Sequence, residues 1–313
     1  MLAVGFHEFG SPDVLRVMER PDPVAGAGEL VVAVRAAPVN TTDTLMRAGL
    51  QIAAMTHLSP PYVAGMEFAG HVHTVGDGVS GFRSGQAVMG LVNPRRPEGG
   101  ADAQYVVVPA ASLVAVSQDA DLTRAAAVPM NGLTAIMILK QLNLPAGALV
   151  LVTGGAGALG GYVIQLARQA GLRVVADGRE ADMALLRQLG ADHVVPRGDG
   201  MAGAVRELAP DGVEGLVDCA MLRDAASVLV RDGGVAVSPR RNQKVTDPRL
   251  VVRNVAVTEG MSDTAALARL EDLRHQGVLT PRVALTLPMA EAARAHRMVE
   301  AGGLRGRVVL SFP

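Results

Sequence analysis

The chain has 313 residues, 49% hydrophobic and 19% charged, with a net charge of −1. That length suits about two domains; the composition excludes a disordered chain, and the lack of a basic surplus removes the usual attraction to nucleic acid. No apolar run reaches the length of a membrane span, residues 1–8 do not read as a secretory signal, and Cys219, the single cysteine, permits no internal disulfide, so the expected setting is a reducing cytoplasm.

The first third reads as β-rich. Segments 30–34, 67–76 and 105–108 are strand-like runs separated by Gly- and Pro-rich turns. His71 and His73 share one strand face. With no third donor in sight they read as ordinary strand residues, not metal ligands. From about Asp121, helical patterns alternate with short apolar strands, which signals βαβ units and a parallel sheet.

Segment 149–161 is the most informative. Its first five residues are apolar or β-branched, as in a strand covered on both faces. Gly155, Gly157 and Gly160 then form a GxGxxG pattern: a tight turn, close backbone approach to phosphate, and helix packing on strand. Ala158 and Leu159 open a helix whose N–H groups suit a dinucleotide pyrophosphate. Leu159, Val163, Leu166 and Ala170 recur at helical spacing, and Gly171 closes the helix. The next strand, 173–177, ends in Asp177, 17 residues beyond Gly160, near the expected place of the acid that contacts the adenosine ribose. Arg179 can pair with a 2′-phosphate. Asp177 therefore favours NADH, and Arg179 favours NADPH.

The alternation continues with a helix at 181–189, strands at 193–195 and 215–219, a helix at 222–230, and strands at 235–238 and 251–257. Cys219 reads as a small buried hydrophobe, not a nucleophile. Arg240 and Arg241 follow a sheet strand near the expected cofactor border and receive no role. A helix follows Asp263, and 307–310 is expected to return to the first domain as a strand. No Gly-x-Ser-x-Gly element or Ser-His-Asp spacing is present.

Several segments together carry a resemblance. They are Pro38-Val39-Asn40-Thr41-Thr42-Asp43 with Arg47-Ala48-Gly49, Gly65-Met66-Glu67-Phe68-Ala69-Gly70 with Val75-Gly76-Asp77-Gly78-Val79, Gly132-Leu133-Thr134-Ala135, the glycine turn, and Gly306-Arg307-Val308-Val309-Leu310. On these the chain resembles the medium-chain dehydrogenase/reductase superfamily and its zinc-free quinone oxidoreductase-like branch. The resemblance implies an α/β fold: a Rossmann doubly wound parallel sheet over 121–275, plus a GroES-like β-rich substrate domain from 1–120 and 276–313. It places the cofactor in the cleft between them and implies a homodimer paired through 251–257.

Zinc-dependent relatives carry Cys-His-Thr-Asp and Gly-His-Glu runs. Here Asn40-Thr41-Thr42-Asp43 and Gly65-Met66-Glu67 stand in their places, so no metal is expected. The resemblance implies Asn40 as the candidate catalytic group and Thr134 as a cofactor contact, alongside Gly155, Gly157, Ala158, Leu159, Gly160, Asp177 and Arg179. Asp43 and Arg47 are expected to pair and orient Asn40. Gln51 stands where many relatives carry a tyrosine, which leaves the proton donor unassigned, and Tyr62 reads as a packed aromatic. Arg95 and Arg96 read as solvated loop charges, with attraction of an anionic substrate or of an acyl-carrier phosphopantetheine as the alternative.

The implied activity is hydride transfer from NADPH, with NADH as the alternative, to a quinone or an activated C=C bond. The other readings are an enoyl-thioester reductase of polyketide or fatty-acid assembly and a cofactor-binding protein without turnover. The implied partner is a small-molecule substrate, with neither nucleic acid nor membrane.

Overall fold

The computed structural model describes residues 1–240 and 245–313. They form two compact units: Met1–Met130 with Met261–Asp272 and Pro281–Pro313, and Asn131–Gly260 with Leu273–Thr280.

The first unit opens with strands β1 (Leu2–Phe6), β2 (Arg16–Glu19) and β3 (Glu29–Pro38), then helix α1 (Thr41–Arg47). Strands β4 (Tyr62–Val63), β5 (Glu67–Val75), β6 (Ala87–Leu91), β7 (Tyr105–Pro109) and β8 (Leu113–Ala115) follow, and helix α2 (Leu122–Ala126) closes the run. β3 is the hub. It pairs antiparallel with β5 and β7. Apolar residues from these strands, including Leu30, Val32, Val34, Phe68, Val106 and Val108, fill one core with Phe6 and Met46. Tyr62 packs as expected, stacked on Phe9 with ring centroids 5.1 Å apart.

The second unit takes most of α3 (Pro129–Leu142) and then alternates strand and helix: β9 (Leu149–Thr153), α4 (Ala158–Gln169), β10 (Arg173–Gly178), α5 (Met183–Leu189), β11 (His193–Pro196), α6 (Met201–Leu208), β12 (Val213–Asp218), α7 (Asp224–Ser227), β13 (Val230–Ser238) and β14 (Val251–Asn254). The strands lie in the order β11-β10-β9-β12-β13-β14, and each neighbouring pair is parallel. This is the doubly wound Rossmann order, with its switch point beside β9. All five residues of β9 are buried, as a strand covered on both faces requires.

Helix α8 (Thr264–His275) precedes β15 (Val283–Pro288), α9 (Ala292–Ala301) and β16 (Arg307–Ser311). β16 pairs antiparallel with β3, so the tail returns to the first unit as expected. Three expectations need correction. The helix expected at 222–230 is reduced to α7, because Val230 already pairs with Val213 as the start of β13. The last sheet strand stops at Asn254, and a 3-10 turn takes Val257–Glu259. Cys219 lies just past β12 and is half-buried.

Candidate active site

In the Rossmann unit the chain turns from β9 into α4 through the glycine run. The left-handed residue is Gly154, with φ at +66°. The Gly157 N–H bonds back to the Gly154 carbonyl at 2.9 Å, so the tight turn spans Gly154–Gly157 with Gly155 inside it. Gly155 is also packed closely: a Cβ there would stand 2.9 Å from Ile164 Cδ1 and from Leu186 Cδ2. A Cβ on Gly160 would stand 2.4 Å from the Gly154 carbonyl oxygen, so helix and turn touch without room for a methyl group. Gly157 is the N-cap of α4. The first donor bonded back to it is Gly161, which leaves the N–H groups of Ala158, Leu159 and Gly160 at the positive end of a twelve-residue helix. This is the amide-lined mouth a pyrophosphate requires.

Asp177 is 2% exposed. Its Oδ1 accepts from the Gly154 N–H at 2.5 Å, and its Oδ2 lies 3.7 Å from Nε of Arg197. Burial lifts this carboxyl above the usual carboxylate range, against the pull of the Gly154 amide and Arg197. Arg179 is exposed, and its backbone N–H donates to Asp182 at 3.3 Å. Arg197, just past β11, is the guanidinium that faces Asp177, and sequence reasoning missed it. The two are brought together by parallel pairing of β10 with β11.

Asp218, at the end of β12, was also missed. It accepts from Thr153 Oγ1 at 2.6 Å and from the N–H groups of Leu222 and Arg223 at 3.0 and 2.7 Å. It thereby holds a loop in which Met221 and Arg223 adopt φ of +59° and +56°. Such strain persists only where neighbours over-determine it. Burial and the nearby carboxylates push the Cys219 thiol far up, which leaves it without nucleophilic character. Thr134 is buried in α3. Arg240 is half-buried; Arg241 lies outside the described residues.

In the first unit, Asn40 is the N-cap of α1 and is 2% exposed. Its side chain is fully engaged by protein. Nδ2 donates to Glu67 Oε1 at 3.1 Å and to the Pro38 carbonyl at 3.3 Å, while Oδ1 accepts from Arg307 Nη2 at 2.6 Å. The same Arg307 nitrogen reaches Glu67 Oε1 at 2.6 Å, and Glu67 Oε2 accepts from Met130 N–H at 2.8 Å. Desolvation lifts the Glu67 carboxyl despite these partners. Glu67 and Arg307 appeared in the sequence only as parts of motifs. The legible signal was a charged residue directly before a short apolar run, Phe68-Ala69 and Val308-Val309-Leu310, which demands a partner if buried.

Asp43 does not pair with Arg47, contrary to expectation. It accepts from Asn40 N–H at 2.7 Å and from Gly65 N–H at 3.3 Å, whereas Arg47 bonds the Gly10 carbonyl at 2.5 Å and Glu300. The α1 helix turns the two side chains to different neighbours. Asp43 still orients Asn40, through the backbone.

At the positions matching zinc ligands stand Asn40 and Met66, and the Arg307 guanidinium binds both Asn40 and Glu67. An amide and a thioether beside a fixed positive charge do not fit a zinc ion.

A parallel sheet of this order, with a glycine turn at its switch point and a separate antiparallel β unit, defines a dinucleotide-linked, dehydrogenase-type architecture. Comparison with known proteins agrees. Residues 26–118 match the alcohol dehydrogenase GroES-like domain, and residues 189–310 match the family described as zinc-binding dehydrogenase. The chain is 28% identical to the 2-haloacrylate reductase of a Burkholderia species, over 99% of this chain and 98% of that one. It is 26% identical to the quinone oxidoreductase of Sus scrofa, over 99% and 97%. A mycobacterial protein solved in complex with NADPH is 28% identical, covers both chains in full, and superposes with a TM-score of 0.85. The chain belongs to the medium-chain dehydrogenase/reductase superfamily, among the quinone oxidoreductase-like members.

Proposed function

We propose that the protein is a zinc-independent, NADPH-dependent reductase of quinones or activated C=C bonds. The observation that carries this is the Gly154–Gly160 turn, closed by Asp177 and opening onto free helix amides, in a chain whose relatives include a quinone oxidoreductase and a 2-haloacrylate reductase. NADPH is the proposed cofactor because a full-length structural neighbour binds it.

A bound nicotinamide cofactor supplies the hydride. The protein's own contribution is placement. Ala158, Leu159 and Gly160 would hold the pyrophosphate, Asp177, Arg179 and Arg197 would border the adenosine ribose, and Thr134 would meet the nicotinamide end. In the other unit, Asn40 acts by position, since its amide is spent on Glu67, Pro38 and Arg307. It fixes the first turn of α1, whose threonines lie beside it in the chain. Rate then comes from holding the acceptor in line and from donors aimed at the developing oxyanion. The substitution of ligand positions by Asn40 and Met66 supports a reaction without zinc.

Pairing of two copies along β14 is the proposed assembly, because this strand is an edge of the parallel sheet and Val251 on it is 38% exposed. No helix among the described residues is long and apolar enough to cross a membrane, and a cytoplasmic setting is proposed from the free Cys219.

The test follows the loss of reduced-nicotinamide absorbance with NADPH and NADH against a quinone, an enal and a crotonyl thioester. Turnover of the quinone or enal supports the reading. A strong preference for the thioester assigns the protein to acyl-chain assembly, and tight NADPH binding with no turnover makes it a binding protein.

A further inference from the structure

The reading above leaves two groups of the first unit unused. Gln51 follows α1 and bridges two elements: its Nε2 donates to the Thr42 carbonyl at 3.2 Å, and its Oε1 accepts from Arg95 Nη1 at 3.2 Å. Thr42 lies in the first turn of α1, two residues past Asn40. Arg95 belongs to the 93–100 loop, and its backbone N–H is fixed by Asn93 Oδ1 at 3.1 Å. The loop therefore aims this guanidinium at the end of the unit that holds Asn40.

Arg95 is half-buried, yet among the described residues no carboxylate pairs with it; its one side-chain bond goes to the neutral Gln51. The contrast with Arg96 is instructive. Arg96 is consumed by the Gly99 and Val107 carbonyls and lies 3.9 Å from Glu98. Four of the five donors of the Arg95 guanidinium are therefore open to solvent and available to an anion. Leu50 and Ile52, on either side of Gln51 in the chain, are 74% and 53% exposed.

We propose that Arg95, held by Gln51, binds the carboxylate of an acidic acceptor, so that the preferred substrates are small electron-poor acids and not neutral quinones. This deepens the proposed function and rests on it for turnover. The planar guanidinium fork matches a carboxylate in a bidentate pose. A phosphate dianion would call for further cations, and the neighbouring Arg96 is engaged by the Gly99 and Val107 carbonyls.

The experiment compares an α,β-unsaturated carboxylic acid with its own methyl ester, two acceptors that differ in charge at one end. The acid-to-ester ratio of kcat/KM should fall about tenfold or more in Arg95→Gln, mostly through KM for the acid, with Arg95→Lys between them. Gln51→Leu should raise KM for the acid several-fold while the guanidinium is retained. Acetate should compete with the acid in the wild type and about tenfold more weakly in Arg95→Gln. An unchanged acid-to-ester ratio in Arg95→Gln overturns the proposal, as does inorganic phosphate competing far better than acetate. If neither acceptor is reduced, the reductase reading fails on its own. Acetate titration of the intact wild type and Arg95→Gln by NMR then still decides the anion site, and equal responses overturn it.

Discussion

Arg307 Nη2 lies 2.6 Å from Glu67 Oε1, although the residues are 240 positions apart and both side chains are buried. The contact joins the start of β5 to the start of β16 and traps Asn40 between them. Removing one partner leaves an uncompensated buried charge. Arg307→Met should therefore destabilise the protein by about 3–5 kcal/mol. The double variant Arg307→Met with Glu67→Gln should recover much of that loss, measured by urea unfolding. Asn40→Ala should lower kcat more than it weakens NADPH binding; equal kcat would remove Asn40 from the mechanism.

A second buried pair faces across Gly65. Asp43 Oδ1 accepts from Gly65 N–H, and Asp102 Oδ1 lies 2.6 Å from where a Cβ on Gly65 would stand. Neither oxygen of Asp102 has a hydrogen-bond partner among the described residues. Burial pushes Asp43 up to about 7 from 3.8, and burial plus the Asp43 charge raises Asp102 well above its usual range. The folded state thus holds protons that the unfolded chain has released. From about pH 4 upward this pair makes stability fall as pH rises; the share due to Asp43 ends near pH 7, and the share due to Asp102 ends only when Asp102 in turn ionises. Asp102→Asn should raise stability at pH 8 by about 1–3 kcal/mol and flatten that slope; an unchanged unfolding midpoint at both ends of the range would refute it.

His296 contributes in the opposite sense. It is fully buried on α9, and neither ring nitrogen finds a partner among the described residues. Burial, reinforced by the Arg47 charge, pushes it down to about 3 from 6.5. Here the unfolded chain binds the extra proton, so stability is lost as pH falls from 6.5 toward 3. His296→Leu should stabilise the protein at pH 5 by about 1–2 kcal/mol or more and by less at pH 8. Thermal unfolding at the two pH values reads the difference.

The glycine turn separates packing from binding. Gly160→Ala forces a methyl group to 2.4 Å from the Gly154 oxygen and should cost about 2–4 kcal/mol or prevent folding. At Gly157 a Cβ would meet that same oxygen at 3.1 Å. Gly157→Ala should cost less than about 1 kcal/mol while weakening NADPH several-fold, since the methyl group crowds the approach to the amides. Denaturation and cofactor titration on the two variants should give these opposite rankings.

Asp177 is locked to Gly154 and faces Arg197. Asp177→Ser removes a negative charge from the ribose border and leaves Arg197 free for a 2′-phosphate. The NADPH-to-NADH ratio of kcat/KM should rise by about tenfold. An unchanged ratio would mean that the carboxylate serves the turn alone.

The sequence by itself determined the layout. Five apolar or β-branched residues, a glycine run and helical spacing placed β9, the turn and α4, because a strand covered on both faces and a helix packed against it leave few other patterns. It also placed β16 against the N-terminal half. Tertiary structure decided the partners. That Gly154 and not Gly155 takes the left-handed conformation, that Asp43 turns to Asn40 and Gly65 while Arg47 turns to Gly10 and Glu300, and that Arg307 and Arg197 meet Glu67 and Asp177 are all matters of which strand lies beside which. Periodicity reports which face of an element is buried. Only the packed chain brings together side chains that are distant in sequence, and the pairing of buried charges is set there.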